Sequence, residues 1–343
     1  MGSYTSRIVA SASDLLTSVR AQETAKRTIE RALASGRVHH AYLFTGPDGV
    51  GKELAAFGLA QALVCERRKE GDWRACGACS ACMRAVPRVE ERTPLHPDVV
   101  VIERGLHPPQ AIGRRTAETQ DISIDQIRTL VLARSAFAPH EGRAKVFVIR
   151  RADELSASAA NALLKTLEEP GARTHFVLLT SQPDALLPTI LSRTLRVRFA
   201  PLPEEIVAEL LEARGVAKTR VREIARLAAG SVEAGEALAD PEESEARERF
   251  VARALDALAS PQVEPVLALA EDAKKDKDRL PEHIAALASA LAERAADAAR
   301  EGLVDAEAIA ARGSFALTAL EHLAGNGNPQ LVVEAMLTRM RAI

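Results

Sequence analysis

A chain of 343 residues exceeds what one ordinary core organises and points to two or three domains, and an apolar content of 47% is ample for burial. Aromatics make up only 3% and the apolar residues are mostly Ala, Leu and Val, which favours a helix-rich protein with close helix contacts. The formal net charge of -2 excludes a global basic field that would advertise nucleic acid, and no apolar run approaches a membrane span.

At the N-terminus, Met1 to Ser6 fit the N-myristoylation pattern, but six residues with three free positions specify little. No charged leader followed by an apolar stretch is present, so a soluble, cytoplasmic chain is expected. Residues 22–35 then place Ala25, Ile29, Ala32 and Leu33 on one helical face, with Gly36 as the stop. Tyr42, Leu43 and Phe44 form a short apolar strand, Gly46 to Gly51 a glycine-bearing loop, and Leu54 to Leu63 a helix.

Strand, loop and helix in that order are the context of a P-loop, here Gly46-Pro47-Asp48-Gly49-Val50-Gly51-Lys52-Glu53. Glycines let backbone amides curl around phosphate oxygens, the helix points its positive end at them, and Lys52 reaches the outer phosphates. ATP or ADP is the ligand such a loop implies. The last position should carry the Ser or Thr hydroxyl that ligates magnesium, and it carries Glu53. Two outcomes stay open: metal-free nucleotide binding, or a pocket that Glu53 crowds or fills.

Cys65, Cys76, Cys79 and Cys82 follow the loop's helix and are all the cysteines of the chain. Four thiols in one short window, three at Cys-x2-Cys-x2-Cys spacing, can converge on one tetrahedral ion, for which zinc is the preferred metal. An iron–sulfur cluster is the rival, without the usual Cys-Pro; disulfides are disfavoured where no secretion signal stands. With all four positions filled by protein, the ion would be structural.

Val99 to Ile102 read as a buried parallel-type strand. Arg104 to Gln120 read as a polar surface loop whose Arg114 and Arg115 could touch DNA but are more simply solvated. Ser123 and Gln126 form a capping box for a helix through Ile124, Ile127, Leu130 and Val131. Lys145 to Ile149 make a third strand. In P-loop ATPases this strand ends in acids that hold magnesium and orient water; here it ends in Arg150-Arg151. Arginines inside a buried strand are costly, so Asp153 and Glu154, three residues on, are expected as acids in the first turn of the next helix rather than as the strand's end.

That helix, Ala157 to Glu169, buries Ala160, Leu163, Leu164 and Leu167 and stops at Pro170. A fourth strand, His175 to Leu179, ends at Thr180, which joins the loop residues as a candidate nucleotide contact. Ser192-Arg193-Thr194 leads into a fifth strand, Leu195 to Phe199. The alternation argues a doubly wound α/β domain. Beyond Pro201 no strand pattern recurs. Short helices run to about Asp240, and the remainder reads as all helix, alanine-rich around 244–259, 281–300, 306–324 and 328–341.

Several of these stretches carry a resemblance that covers essentially the whole chain, most specifically residues 38–200. His40-Ala41-Tyr42-Leu43-Phe44 before the loop, the four cysteines after its helix, Asn161-Ala162-Leu163-Leu164-Lys165-Thr166-Leu167-Glu168-Glu169-Pro170, and Ser192-Arg193 resemble the clamp-loader subunits of the AAA+ family. The closing segment from Asn326 and Asn328-Pro329 to Met336 is similar to that family's last collar helix. The resemblance implies an α/β AAA+ P-loop domain with a parallel sheet (residues 1–200, carrying the zinc module at 65–82), a helical lid (201–240) and an all-α collar that oligomerises (241–343). It also implies partners: tau/gamma ATPase subunits, a clamp-opening delta subunit and, through the complex, a sliding clamp and primed DNA. No membrane partner is implied.

The departures imply which kind of member this is. Glu53 replaces the metal-binding hydroxyl, Arg150 and Arg151 replace the acidic pair, and Glu233 stands where the motor subunit places a nucleotide-sensing arginine, reversing the charge. Arg193 is kept, although Thr194 replaces the family's usual Cys. In the family this arginine reaches across the interface to ATP held by a neighbour, where its cationic fork stabilises the transferring phosphoryl group. The implied role is a ring member that lacks polymerase and ATPase activity of its own and supplies Arg193 in trans. The alternatives are a tau/gamma-type motor, in which Glu53 or Asp153 replaces the missing magnesium ligands, and another AAA+ remodeller or helicase loader.

Overall fold

The computed structural model describes residues 14–87, 92–115, 121–141, 143–277, 279–325 and 327–343. The acylation-like pattern at residues 1–6 and Asn326 lie outside them. The chain divides into two compact units between Glu236 and Ala237. No helix among the described residues is long and apolar enough to cross a membrane.

The first unit is built on a five-stranded sheet of β1 (Ala41–Thr45), β2 (Val99–Ile102), β3 (Lys145–Ile149), β4 (Thr174–Thr180) and β5 (Leu195–Arg198). All pairings are parallel, in the order β2-β3-β4-β1-β5. Residues two apart on a strand share a face. One face (Ala41, Leu43, Val100, Ile102, Phe147, Ile149, Phe176, Leu178) packs with α4 and α5. Of these, α4 runs from Ile124 to Ser135 through a π segment at Ile127–Leu132, and α5 is Ala157–Glu168. The other face meets α2 (Lys52–Val64), the helix after the loop, and α1 (Glu23–Ala34) lies against β5. Every residue of α2 except Glu53 is buried, as for a helix enclosed on all sides.

Three points refine these expectations. Asp153 and Glu154 are first-turn acids, but of a separate 3-10 turn, Ala152–Glu154, rather than of α5, which begins at Ala157 with Ser156 as its cap. Ile122 causes the separation by donating its amide to the Glu154 carbonyl at 2.8 Å and accepting the Ser156 amide at 3.1 Å. The capping box at Ser123 is one-sided: its hydroxyl accepts the Gln126 amide at 3.3 Å, while the Gln126 side chain donates to the Glu103 carbonyl at 2.9 Å. Finally, a short helix, α3 (Ser80–Arg84), carries Cys82 within the cysteine segment.

After the sheet come α6 (Pro188–Leu191), α7 (Glu204–Glu212), α8 (Lys218–Leu227) and α9 (Val232–Ala239). The second unit holds α10 (Pro241–Ala259), α11 (Glu264–Lys275), α12 (Leu280–Arg300), α13 (Ala306–Ala324) and α14 (Pro329–Arg341). Of these, α11 lies outside the segments read as alanine-rich although it carries Ala268, Ala270 and Ala273, whereas α14 carries only Ala335. Its core interleaves Leu269, Leu280, Ile284, Leu287, Val333, Met336 and Leu337 with Ala254, Ala257, Ala270, Ala316 and Ala319, small residues that let helix backbones approach.

Candidate functional site

The loop between β1 and α2 has the conformation its glycines predict. Gly46 has φ +145°, and a Cβ there would stand 2.2 Å from the Phe199 carbonyl oxygen. At Gly49, φ +73°, a Cβ would meet the Glu233 amide nitrogen at 2.5 Å. Both positions therefore require glycine. The second contact puts the start of α9 directly on the loop, with the Val232 amide donating to the Gly49 carbonyl at 3.4 Å. Gln22, 4% exposed, ties the same region together by donating to the carbonyls of Val50 at 3.4 Å and Ala200 at 2.7 Å.

Lys52 does not reach outward. Its ammonium donates to the Gly46 carbonyl at 2.5 Å, the Pro47 carbonyl at 2.6 Å and Asp48 Oδ1 at 2.9 Å. An ammonium has three N–H donors, and all three are engaged by the loop itself.

Glu53 is likewise engaged. Its carboxylate pairs with Arg150, whose other terminal nitrogen pairs with Glu103 Oε2 at 2.8 Å. Arg150 is 8% exposed and lies 5.7 Å from the centre of the Phe57 ring. Burial alone would lower its pKa; Glu53 and then Glu103 outweigh this and hold it above the ordinary arginine value. The strand does end before the arginines, as predicted, yet Arg150 is buried all the same, with two carboxylates compensating its charge. Glu103 and Phe57 were not among the candidates. Ile102 is in register with Ile149, so Glu103 and Arg150 leave adjacent strands side by side; that proximity follows from strand order alone.

Thr180 lies beside the loop, its carbonyl accepting the Gly46 amide at 3.3 Å. Its hydroxyl is occupied: it donates to Asp153 and accepts the Gln182 amide at 2.9 Å. Glu154 is drawn away from the loop by Arg104 at 3.2 Å and Arg151 at 3.4 Å. Glu233 reaches solvent, but the protein packed around it and then the Asp48 carboxylate raise its pKa. At this edge of the sheet the candidates Gly46 to Glu53 and Thr180 do come together, each polar side chain already committed to another group of the protein.

Arg193 belongs to the opposite edge. Leu195 pairs with Tyr42, at the start of β1, whereas the loop begins beyond Thr45. At about 3.3 Å per residue the two are separated by more than ~13 Å along the strands. Its guanidinium is held by Glu168 at 2.7 Å, by the Thr189 carbonyl at 2.9 Å and by the Ser192 hydroxyl at 3.1 Å. Thr194 turns its hydroxyl inward to the Ile190 carbonyl at 3.0 Å. Of the loop arginines, Arg114 stands 3.9 Å from Asp125.

The thiols of Cys65, Cys76, Cys79 and Cys82 lie within 4.8 Å of one another, and Cys76 and Cys82 sulfurs are 3.9 Å apart. A tetrahedral ion at about 2.3 Å from each sulfur requires edges of about 3.8 Å, so the donor set fits a metal ion. The Cys76, Cys79 and Cys82 amides donate to the sulfurs of Cys65, Cys76 and Cys79 at 3.4, 3.3 and 3.4 Å. Burial pushes the Cys76 thiol up, but the amides of Ala78 and Cys79 outweigh this and bring it to about 7. Burial and the neighbouring thiols push Cys82 up.

A protein named DNA polymerase III subunit delta' from Bacillus subtilis is 31% identical over 230 residues, covering 67% of this chain and 63% of that one. The subunit of the same name from Pseudomonas aeruginosa is 39% identical over 164 residues, covering 48% and 44%. A DNA polymerase III subunit gamma/tau from Mycobacterium tuberculosis is 34% identical over 190 residues, covering 55% of this chain and 29% of that one. The chain thus spans less than a third of that gamma/tau relative and under two thirds of either delta' relative. Among solved structures, a DNA polymerase III gamma subunit-related protein from Thermotoga maritima shares the fold, with a TM-score of 0.50, 20% identity and coverage of 92% of this chain and 98% of that one. The likeness is one of fold: a parallel five-stranded sheet flanked by helices, followed by helices alone. A family model described as DNA polymerase III, delta subunit, matches residues 21–203, which is more than half of the chain and includes both the altered loop and Arg193; the chain belongs to that family.

Proposed function

We propose that this chain is a delta-prime-type subunit of the DNA polymerase III clamp loader, a ring member that hydrolyses no ATP itself and contributes to loading the sliding clamp on primed DNA. The observation that carries this reading is the Glu53–Arg150–Glu103 ion triad. It stands where a motor subunit has a magnesium-binding hydroxyl and an acid, and it puts the Arg150 cation there, which repels a dication and already takes up a carboxylate oxygen of Glu53 and of Glu103. The saturated Lys52 ammonium supports it further. Relatives named delta' support this type over the tau/gamma motor.

Arg193 is the catalytic contribution of the chain in this reading. Its own loop is at the other end of the strands, so its guanidinium serves an ATP site on a neighbouring tau/gamma subunit, with Glu168 holding the fork in position until it engages phosphate. The delta subunit would be another neighbour, residues 201–240 the lid, and residues 241–343 the collar. The four cysteines hold zinc as a structural ion: sulfur-only ligation of four positions suits it and leaves no place for substrate. ATP or ADP binds, if the loop opens, without magnesium.

Titrating the isolated chain with ATP, with and without magnesium, tests the reading of the loop. Magnesium is expected to add nothing to affinity, and no phosphate is released. Turnover by the isolated chain that Lys52→Ala abolishes would make it a motor.

A further inference from the structure

One residue, Gln61, joins the cysteine cluster to the helix that follows the loop. It is 3% exposed on α2, one turn beyond Gly58. Its Oε1 accepts the amide of Leu15 at 3.2 Å, and its Nε2 donates to the carbonyl of Cys82 at 3.4 Å. The Cys82 thiol in turn lies 3.9 Å from the Gln61 carbonyl oxygen. Gly58 seats the next residue of the same segment: a Cβ there would stand 2.7 Å from the Leu16 amide nitrogen. Leu15 and Leu16 are each 1% exposed, and Asp14 closes the turn by accepting the Leu16 amide at 3.2 Å and the Thr17 hydroxyl at 2.6 Å. A single buried side-chain amide therefore faces the cysteine module with its donor end and residues 14–19 with its acceptor end.

We propose that Gln61 is a positioning residue through which occupancy of the four-cysteine cluster sets how firmly Asp14–Val19 are anchored to α2. The proposal rests on the metal reading given above. Cys82 sits in α3, a helix of five residues that is too short to hold its shape without the ligand bonds at Cys79 and Cys82. When the ion leaves, the Cys82 carbonyl is no longer fixed. Nε2 then loses its acceptor in a buried place, an unfavourable state that is relieved only by rotation of the whole amide. Rotation withdraws Oε1 from the Leu15 amide. Metal state is thereby transmitted to the N-terminal segment with no contact between that segment and the sulfurs.

Hydrogen exchange on the full-length chain tests this, comparing protein loaded with one equivalent of zinc against protein stripped with a chelator, metal content being measured on both. Stripping is expected to raise exchange of peptides covering 14–19 by roughly five- to tenfold, with β1 and β4 unchanged. Gln61→Met should show the raised exchange already when zinc-loaded, and no further rise on stripping. Unchanged exchange in the stripped wild type, or an intact metal response in Gln61→Met, would overturn the proposal. A chain that takes up no zinc would overturn it together with the metal reading, and the metal assay distinguishes that failure from a failure of the coupling.

Discussion

Lys52 and Arg150 illustrate how far a side chain's partners, rather than its type, decide what a site can do. The lysine stands where a phosphate-binding lysine should, but its donors are turned onto the Gly46 and Pro47 carbonyls and Asp48. Restoring the hydroxyl with Glu53→Thr is therefore expected not to create magnesium-dependent ATP binding, because Arg150 remains at the metal position and loses one of its two counter-charges. The same titration with magnesium and ATP checks it. Removing the cation is more damaging than removing one anion. Arg150→Met leaves Glu53 and Glu103 facing each other in a largely buried site and should cost about 3 kcal/mol in urea unfolding, whereas Glu53→Gln, which leaves the Glu103 pair, should cost less. The sequence shows Glu53 and Arg150 as departures from a motif. It cannot show that they neutralise each other, since 97 residues separate them and only the folded sheet brings them together. Glu103 is hidden for the same reason.

Among elements, the parallel strands were legible to within a residue or two because β1 to β4 are each centred on a short apolar run, while β5 alternates Leu195 and Val197 with Arg196 and Arg198. Helix starts were legible where a capping residue stood. Asn328 accepts the amides of Gln330 at 3.1 Å and Leu331 at 3.3 Å ahead of Pro329 at the first helical position. Asn328→Ala should destabilise α14 and with it the second unit by about 1 kcal/mol, read as a shifted unfolding midpoint at constant slope. What stayed hidden were features set by tertiary contacts. The π segment in α4 breaks no sequence rule, and the turn at Ala152–Glu154 exists because Ile122 bonds on both sides of it.

At the scale of the whole molecule, four histidines, His96 and His283 buried and His40 and His175 half-buried, set a pH dependence. His40, His96, His175 and His283 are all pushed below the ordinary value of 6.5, burial being the leading cause in each. Below about pH 6.5 the unfolded chain takes up protons that the folded chain refuses, so stability is complete above that pH and falls as pH drops through the lowered folded values. The carboxyls of Asp14, Glu154 and Glu282, raised chiefly by burial, act with the opposite sign lower down, where the folded chain binds protons first. Calorimetry in excess zinc should therefore show the melting temperature falling by several degrees between about pH 7.5 and about pH 5.5. A flat profile would mean that these histidines are protonated in the folded state.

The separation of Arg193 from the loop is also a property of the whole fold, set by parallel strands that begin at one edge of the sheet and end at the other. It carries the central claim, that the chain's catalytic group acts outside the chain. The direct measurement is ATP turnover by tau/gamma and delta subunits assembled with this chain, comparing wild type with Arg193→Ala at equal assembly. Loss of about a hundredfold or more of the turnover at the adjoining site, with unchanged complex formation, is the predicted result. Equal turnover by the two complexes would contradict it.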